Sequence, residues 1–124
     1  MSAQSNVVLV VDDDSLVGRL ISSAVSDLVT VMCCESVECA VKVLMLEEPL
    51  LVVLDLKLSD GDGDDLLDDL WASGYSQDVL ILTADKGKAA LQRLVHARDR
   101  LTVLTKDSGY EKKIRSEVLT RLKR

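Results

Sequence analysis

The chain has 124 residues, enough for one domain with a real core, and 48% of them are hydrophobic, which excludes a disordered chain. There is no Phe and only Trp71, Tyr75 and Tyr110 are aromatic, which excludes an aromatic platform for stacking single-stranded nucleic acid. The net charge of −6 is uneven: residues 1–85 hold 3 Lys/Arg against 17 acids, and residues 86–124 hold 12 against 4, spread among apolar helix positions as on a solvated surface.

Short apolar runs alternate with amphipathic stretches along the chain. NVVLVV at 6–11 is rich in β-branched residues, stops at Asp12 and reads as a buried strand. From Ser15, the residues Leu16, Leu20, Ala24 and Leu28 recur at helical spacing, with Asp14 or Ser15 as the cap. LVTVMC at 28–33 is a second strand. Ser36 opens a second helix through Cys39, Ala40, Val43 and Leu44, which ends before Pro49. LLVVL at 50–54 is the third strand, followed by breaks at Gly61 and Gly63. Leu66, Leu67, Leu70 and Trp71 mark a third helix with Asp68 and Asp69 on its wet side, and Asp64 and Asp65 suit its N-terminus. VLILT at 79–83 is a strand, Ala89–Val95 lies in a helix, LTVLT at 101–105 is the fifth strand, and Tyr110, Ile114, Val118, Leu119 and Leu122 mark the last helix.

Five βα units with fully apolar strands imply a parallel sheet covered on both faces. The expected architecture is α/β: a flavodoxin-like doubly wound (βα)5 fold, its five-stranded parallel sheet in the order 2-1-3-4-5, with residues 1–124 as a single domain. No apolar run approaches the roughly 20 residues of a membrane-spanning helix. The N-terminus has no signal-peptide pattern, so a cytoplasmic location is the expectation. Cys33, Cys34 and Cys39 are odd in number and two are adjacent, so they read as reduced small hydrophobes and not as a disulfide framework. The lone His96 follows a helix and reads as a surface residue.

Ligands bind such sheets at the carboxyl ends of the strands. That edge collects Asp12 and Asp13 from strand one, Asp55 from strand three, Thr83 from strand four, and Lys106 after strand five. Crowded carboxylates raise one another's cost of ionisation, and a divalent cation relieves it. Oxygen ligands without His or Cys favour Mg²⁺, Mn²⁺ or Ca²⁺ over zinc. A hydroxyl and an ammonium nearby suit the oxygens of a phosphoryl group.

In VVLVVDDDS, LVVLDLKLSDGDG, VLILTA and LTVLTK the chain resembles a response-regulator receiver domain of two-component or phosphorelay signalling, over essentially its whole length. The resemblance implies Asp55 as phosphoacceptor. Asp12, Asp13, Asp55 and the backbone carbonyl of Lys57 would hold Mg²⁺, or Mn²⁺ in its place. Thr83 and Lys106 would bind phosphoryl oxygens. A phosphohistidine on a histidine kinase or phosphotransfer protein would supply the phosphoryl group. Phosphorylation and dephosphorylation would be self-catalysed, as in a regulatory phosphoacceptor and not a metabolic enzyme. Lys57 and Asp85 stand where acyl-phosphate lifetime is tuned in the family. Helix one, with Leu16, Val17 and Leu20, is the expected kinase-docking surface, and the face of helix four, strand five and helix five a route to a homodimer. No membrane or direct nucleic-acid partner is expected, and an output domain can follow residue 124.

Several positions depart from the family pattern. Ser59 stands where Pro is common, and Asp107 replaces the Pro that follows the lysine. A non-proline cis bond costs about 2.5–4 kcal/mol, so the Lys106–Asp107 bond is expected either as a retained cis bond held by the surrounding structure or, the favoured alternative, as a trans bond with a rearranged loop. Val103 replaces the usual aromatic switch residue, has no ring to flip and is expected to stay buried. Two other readings compete: a pseudo-receiver binding module that keeps the fold without phosphorylation, and a haloacid-dehalogenase-type phosphatase with Asp12 as nucleophile. An EF-hand beginning at Asp60 fails, because it needs Gly at position 65 and Glu at position 71, where Asp65 and Trp71 stand.

Overall fold

The computed structural model describes residues 6–55, 57–58, 61–62, 68, 72, 78–84 and 101–123. Its strands are β1 (Val7–Val11), β2 (Thr30–Cys34), β3 (Leu51–Leu54), β4 (Lys57–Leu58), β5 (Gly61–Asp62), β6 (Asp78–Thr83) and β7 (Leu101–Thr105). Five of them form one parallel sheet in the order β2-β1-β3-β6-β7, which is the 2-1-3-4-5 order of the doubly wound fold. β4 and β5 form a separate antiparallel ladder, Lys57 opposite Asp62, where the sequence suggests only a break.

The pleat sorts the apolar strand residues onto two faces. Val8, Val10, Leu51, Val53, Leu80 and Leu82 join one cluster, with Ile21 and Val25 of α1 (Ser15–Val25) and Ile114 and Val118 of the C-terminal helix (Tyr110–Leu122). Leu9, Val11, Val52, Leu54, Val79 and Ile81 join the other, with Ala40 of α2 (Val37–Leu46). β1 and β3 are buried at every position because helices cover both sides, whereas the flanking β2 is partly exposed. Each Leu, Ile or Val removed from water here contributes about 1.5–3 kcal/mol.

Local chemistry sets the element ends. Asp14 caps α1 by accepting the Leu16 N–H at 3.0 Å, and Ser36 caps α2 by accepting the Cys39 N–H at 3.1 Å. α1 stops at Val25, short of the expected stripe through Leu28, because the chain turns there with Leu28 N–H donating to the Val25 carbonyl at 2.9 Å. That turn lets Thr30 N–H reach the Asn6 carbonyl at 3.0 Å and start β2 beside β1. Gly109 precedes the C-terminal helix at φ 87, a conformation that favours glycine, and no side chain caps that helix.

Asp68 and Ala72 are helical and exposed, as expected of the third helix's wet side for Asp68. The expected helix around Ala89–Val95 and the residues Ser59, Asp64, Asp65, Asp69, Trp71 and His96 lie outside the described residues. No cis peptide bond occurs among the described residues, so Lys106–Asp107 is trans. The cysteine expectation is overturned. Cys34 and Cys39 form a disulfide with a Cα–Cα distance of 5.5 Å, and only Cys33 is free. The single turn between β2 and α2 brings the two sulfurs together, a closeness that counting cysteines does not convey.

Candidate functional site

The register of the sheet builds the site. Val11 pairs with Leu54 of β3 and with Cys34 of β2, so Asp12 and Asp55 leave neighbouring strands at one level. Their backbones are held there: Asp12 N–H donates to the Cys34 carbonyl and Asp55 N–H to the Val11 carbonyl, both at 2.9 Å. Asp12, Asp13 and Asp55 each offer a carboxylate oxygen, and these oxygens lie within 4.8 Å of one another. Asp12 is buried, Asp55 partly buried and Asp13 exposed, so the cluster is sealed beneath and open above.

Lys106 enters from the far side of the sheet. Thr83 pairs with Thr105, and Lys106 N–H donates to the Thr83 carbonyl at 2.7 Å, which fixes the residue as β7 ends. Its Nζ lies 2.8 Å from Asp12 Oδ2 and 3.4 Å from Asp55 Oδ2. One ammonium therefore bridges two of three carboxylates. Burial pushes the Asp12 carboxyl above its ordinary range, against the hydrogen bonds from Lys106 and the Asp14 N–H, and the nearby Asp55 charge adds to the rise. Burial lowers Lys106, but its bond to Asp12 and the charges of Asp12 and Asp55 outweigh this and leave it raised. Among the described residues the set keeps an excess of negative charge in a partly dry place, with oxygen donors only, which fits a hard divalent cation.

The other expected site residues divide. Thr83 ends β6, two positions beyond Ile81, the partner of Leu54, and is half-buried at the same edge. Lys57 begins β4 two residues after Asp55, placing its backbone next to the cluster in sequence. Asp85 lies outside the described residues. Val103 packs against the α2-side cluster and is half-buried, not buried as expected, because β7 is incompletely covered among the described residues. On α1, Leu16 and Leu20 are exposed at 54% and 36%, whereas Val17 is only 3% exposed and cannot join a docking surface. The hydrogen bond from Asp12 to the Cys34 carbonyl was invisible in the sequence, because it depends on strand register.

The sequence profile of the response regulator receiver domain matches residues 8–118. The chain belongs to that family. It is a response regulator receiver domain of two-component signalling, a family that generally binds Mg²⁺ and interacts with histidine kinases or phosphotransfer proteins. Among solved structures, it is similar to the signal receiver domain of a candidate Luxo repressor protein from Vibrio parahaemolyticus. The two are 26% identical with a TM-score of 0.83, covering 98% of this chain and 92% of that one. It also shares its fold with the beryllofluoride-activated DrrB receiver domain, at 22% identity and a TM-score of 0.81, covering 95% of this receiver domain and 97% of that chain. A Francisella receiver domain gives 22% and 0.80, covering 94% and 96%. Among proteins with curated descriptions, none matches the chain. No described helix is long and apolar enough to cross a membrane.

Proposed function

We propose that the protein is an active phosphoacceptor, with Asp55 taking a phosphoryl group from a phosphohistidine on a histidine kinase or phosphotransfer protein. The observation that carries this reading is the set of three carboxylate oxygens within 4.8 Å, bridged by one ammonium at the open edge of the sheet. Asp12, Asp13, Asp55 and the Lys57 carbonyl would hold Mg²⁺ or Mn²⁺, which when bound neutralises charge on the transferring group.

The chain's own residues do the rest. An Asp55 carboxylate oxygen forms the new bond to phosphorus as the histidine nitrogen–phosphorus bond breaks, and the imidazole leaves. Lys106 holds the Asp55 carboxylate in place beforehand and pairs with a phosphoryl oxygen afterwards, while Thr83 donates its hydroxyl to another. Water later cleaves the acyl phosphate, with Lys57 and Asp85 placed to tune that rate. Asp12 is the poorer nucleophile, being 5% exposed with its carboxyl pushed up by burial, which argues against a phosphatase acting through Asp12. Val103 cannot act as a ring switch, so the signal would leave through backbone movement near Thr83. Residues 1–124 would act as one cytoplasmic receiver unit. Dimerisation would use the face that includes β7 and the C-terminal helix, and sedimentation with and without a phosphate mimic would measure it.

The test is incubation with acetyl phosphate and Mg²⁺ followed by intact-mass measurement. The wild type is expected to gain one phosphoryl group, and Asp55→Asn or removal of Mg²⁺ to abolish the gain. An unlabelled wild type that also ignores beryllofluoride would instead indicate a pseudo-receiver.

A further inference from the structure

The three cysteines are not equivalent. Adjacent residues of a strand point to opposite faces. Cys33 lies over α1, where a Cβ added to Gly18 would come within 2.9 Å of its sulfur. Cys34 belongs to the opposite cluster, against Cys39 and Ala40 of α2. Only Cys34 therefore has a thiol partner, and its 5.5 Å Cα–Cα distance to Cys39 suits a disulfide. The same Cys34 supplies the carbonyl that holds the Asp12 amide at 2.9 Å. The bridge is thus anchored in the same residue whose carbonyl places the buried carboxylate of the acidic cluster.

We propose that Cys34 and Cys39 are a reversible redox pair whose state is transmitted through the Cys34 carbonyl to Asp12, setting the affinity of the acidic cluster for a divalent cation. The metal readout rests on the function proposed above; the redox chemistry does not. Cys39 is the entry point, because it is partly exposed in the first turn of α2 while Cys34 is buried. A helix N-terminus favours a thiolate. The co-reactant is a low-molecular-weight disulfide of the glutathione class. The Cys39 thiolate attacks one of its sulfurs, its S–S bond breaks, and one thiolate leaves. The Cys34 thiolate then attacks the Cys39 sulfur of the mixed disulfide and expels the second thiolate. Two electrons pass from the protein to the reagent, and the two protein thiol protons end on the two released thiols. Oxidised, the bridge ties the end of β2 to the first turn of α2 and keeps the Cys34 carbonyl under the Asp12 amide. Reduction releases that tie.

The experiment compares the full chain after glutathione disulfide and after dithiothreitol. Alkylation with mass analysis counts thiols, and backbone amide NMR follows a titration with Mg²⁺. The expected oxidised form has only Cys33 alkylated, a shifted Asp12 amide, and Mg²⁺ affinity roughly tenfold tighter than the reduced form, the lower end of what groups supporting a metal ligand contribute. Cys39→Ser should bind Mg²⁺ as the reduced wild type does and ignore the oxidant, while Cys33→Ser should keep the wild-type response. If Cys39→Ser does not fold, the two wild-type states decide alone. Three alkylated cysteines after oxidation, or equal Mg²⁺ affinities in the two states, would overturn the proposal. Absence of Mg²⁺ binding in both states would count against the proposed function. In that case the metal-free Asp12 amide decides the redox coupling: a shift between states supports it, and no shift overturns it.

Discussion

The two ends of the sheet carry charge in different ways. At the amino end, Arg121 of the C-terminal helix meets Asp78 at the start of β6, with Nε 2.6 Å from Oδ2, and both side chains are shut from solvent at 6% and 4% exposure. Glu117, one turn earlier, lies 2.7 Å from Arg121 Nη1. At the carboxyl end, among the described residues, one ammonium faces three carboxylates, and burial grades from Asp12 out to exposed Asp13. The first cluster is closed over by the helix that supplies its cation. The second is open on one side and, among the described residues, unbalanced. A closed pair fixes the fold, and an open, unbalanced set can take a cation and change state.

The largest expected effect on stability belongs to the closed end. Arg121→Ala removes the guanidinium that meets buried Asp78 and should cost about 3–5 kcal/mol in urea unfolding. Replacing both partners, as Asp78→Leu with Arg121→Met, should recover most of that loss, because no buried charge is left behind. If Arg121→Ala costs no more than a surface change, the two ends do not differ as described.

The open end should respond to metal instead. Lys106→Met removes the cation that, among the described residues, bridges Asp12 and Asp55. The metal-free protein should lose about 1–3 kcal/mol, the cost of a buried group left without its partner. Millimolar Mg²⁺ should restore much of it, whereas Mg²⁺ should not rescue Arg121→Ala. Unfolding curves of both variants with and without Mg²⁺ check the contrast.

Smaller effects sharpen the boundary. Gly18→Ala gains about 1 kcal/mol of helix propensity but presses on the Cys33 sulfur, so alone it should be nearly neutral. Combined with Cys33→Ala, which frees that space, the gain should appear as a higher urea midpoint. The smallest effect concerns Asp27, whose carboxyl is held below its ordinary value of 3.8 chiefly by the hydrogen bond from Arg115, at 2.7 Å. A depressed carboxyl contributes stability above 3.8 that is lost as pH falls through the folded value. Asp27→Asn should therefore lower the urea midpoint slightly at neutral pH, with the gap to wild type closing in acid. Arg115 also donates to the Ala24 carbonyl at 2.7 Å, which limits the loss.

Much of this contrast was legible in the chain. Apolar runs such as VVLVV and LLVVL gave the buried strands, and the acids and lysine that end them gave the open cluster, because strand ends are fixed by composition. The closed cluster was not legible. Asp78 and Arg121 are far apart in sequence, and only the docking of the C-terminal helix joins them. The Cys34–Cys39 bridge was missed for a related reason. Cysteine counting argues against a framework, while the pairing depends on the capped turn at Ser36 that brings α2 back to β2. Val103 was misjudged because sequence shows what a residue is and not how fully its strand is covered.

The central claim is that one carboxylate of the open cluster, Asp55, carries the phosphoryl group. Treating the acetyl-phosphate-labelled protein with borohydride reduces an acyl phosphate and marks its position for peptide sequencing. The expected result is a single mark at Asp55 that requires Mg²⁺. A mark at Asp12 or Asp13, or none despite bound Mg²⁺, would contradict the account.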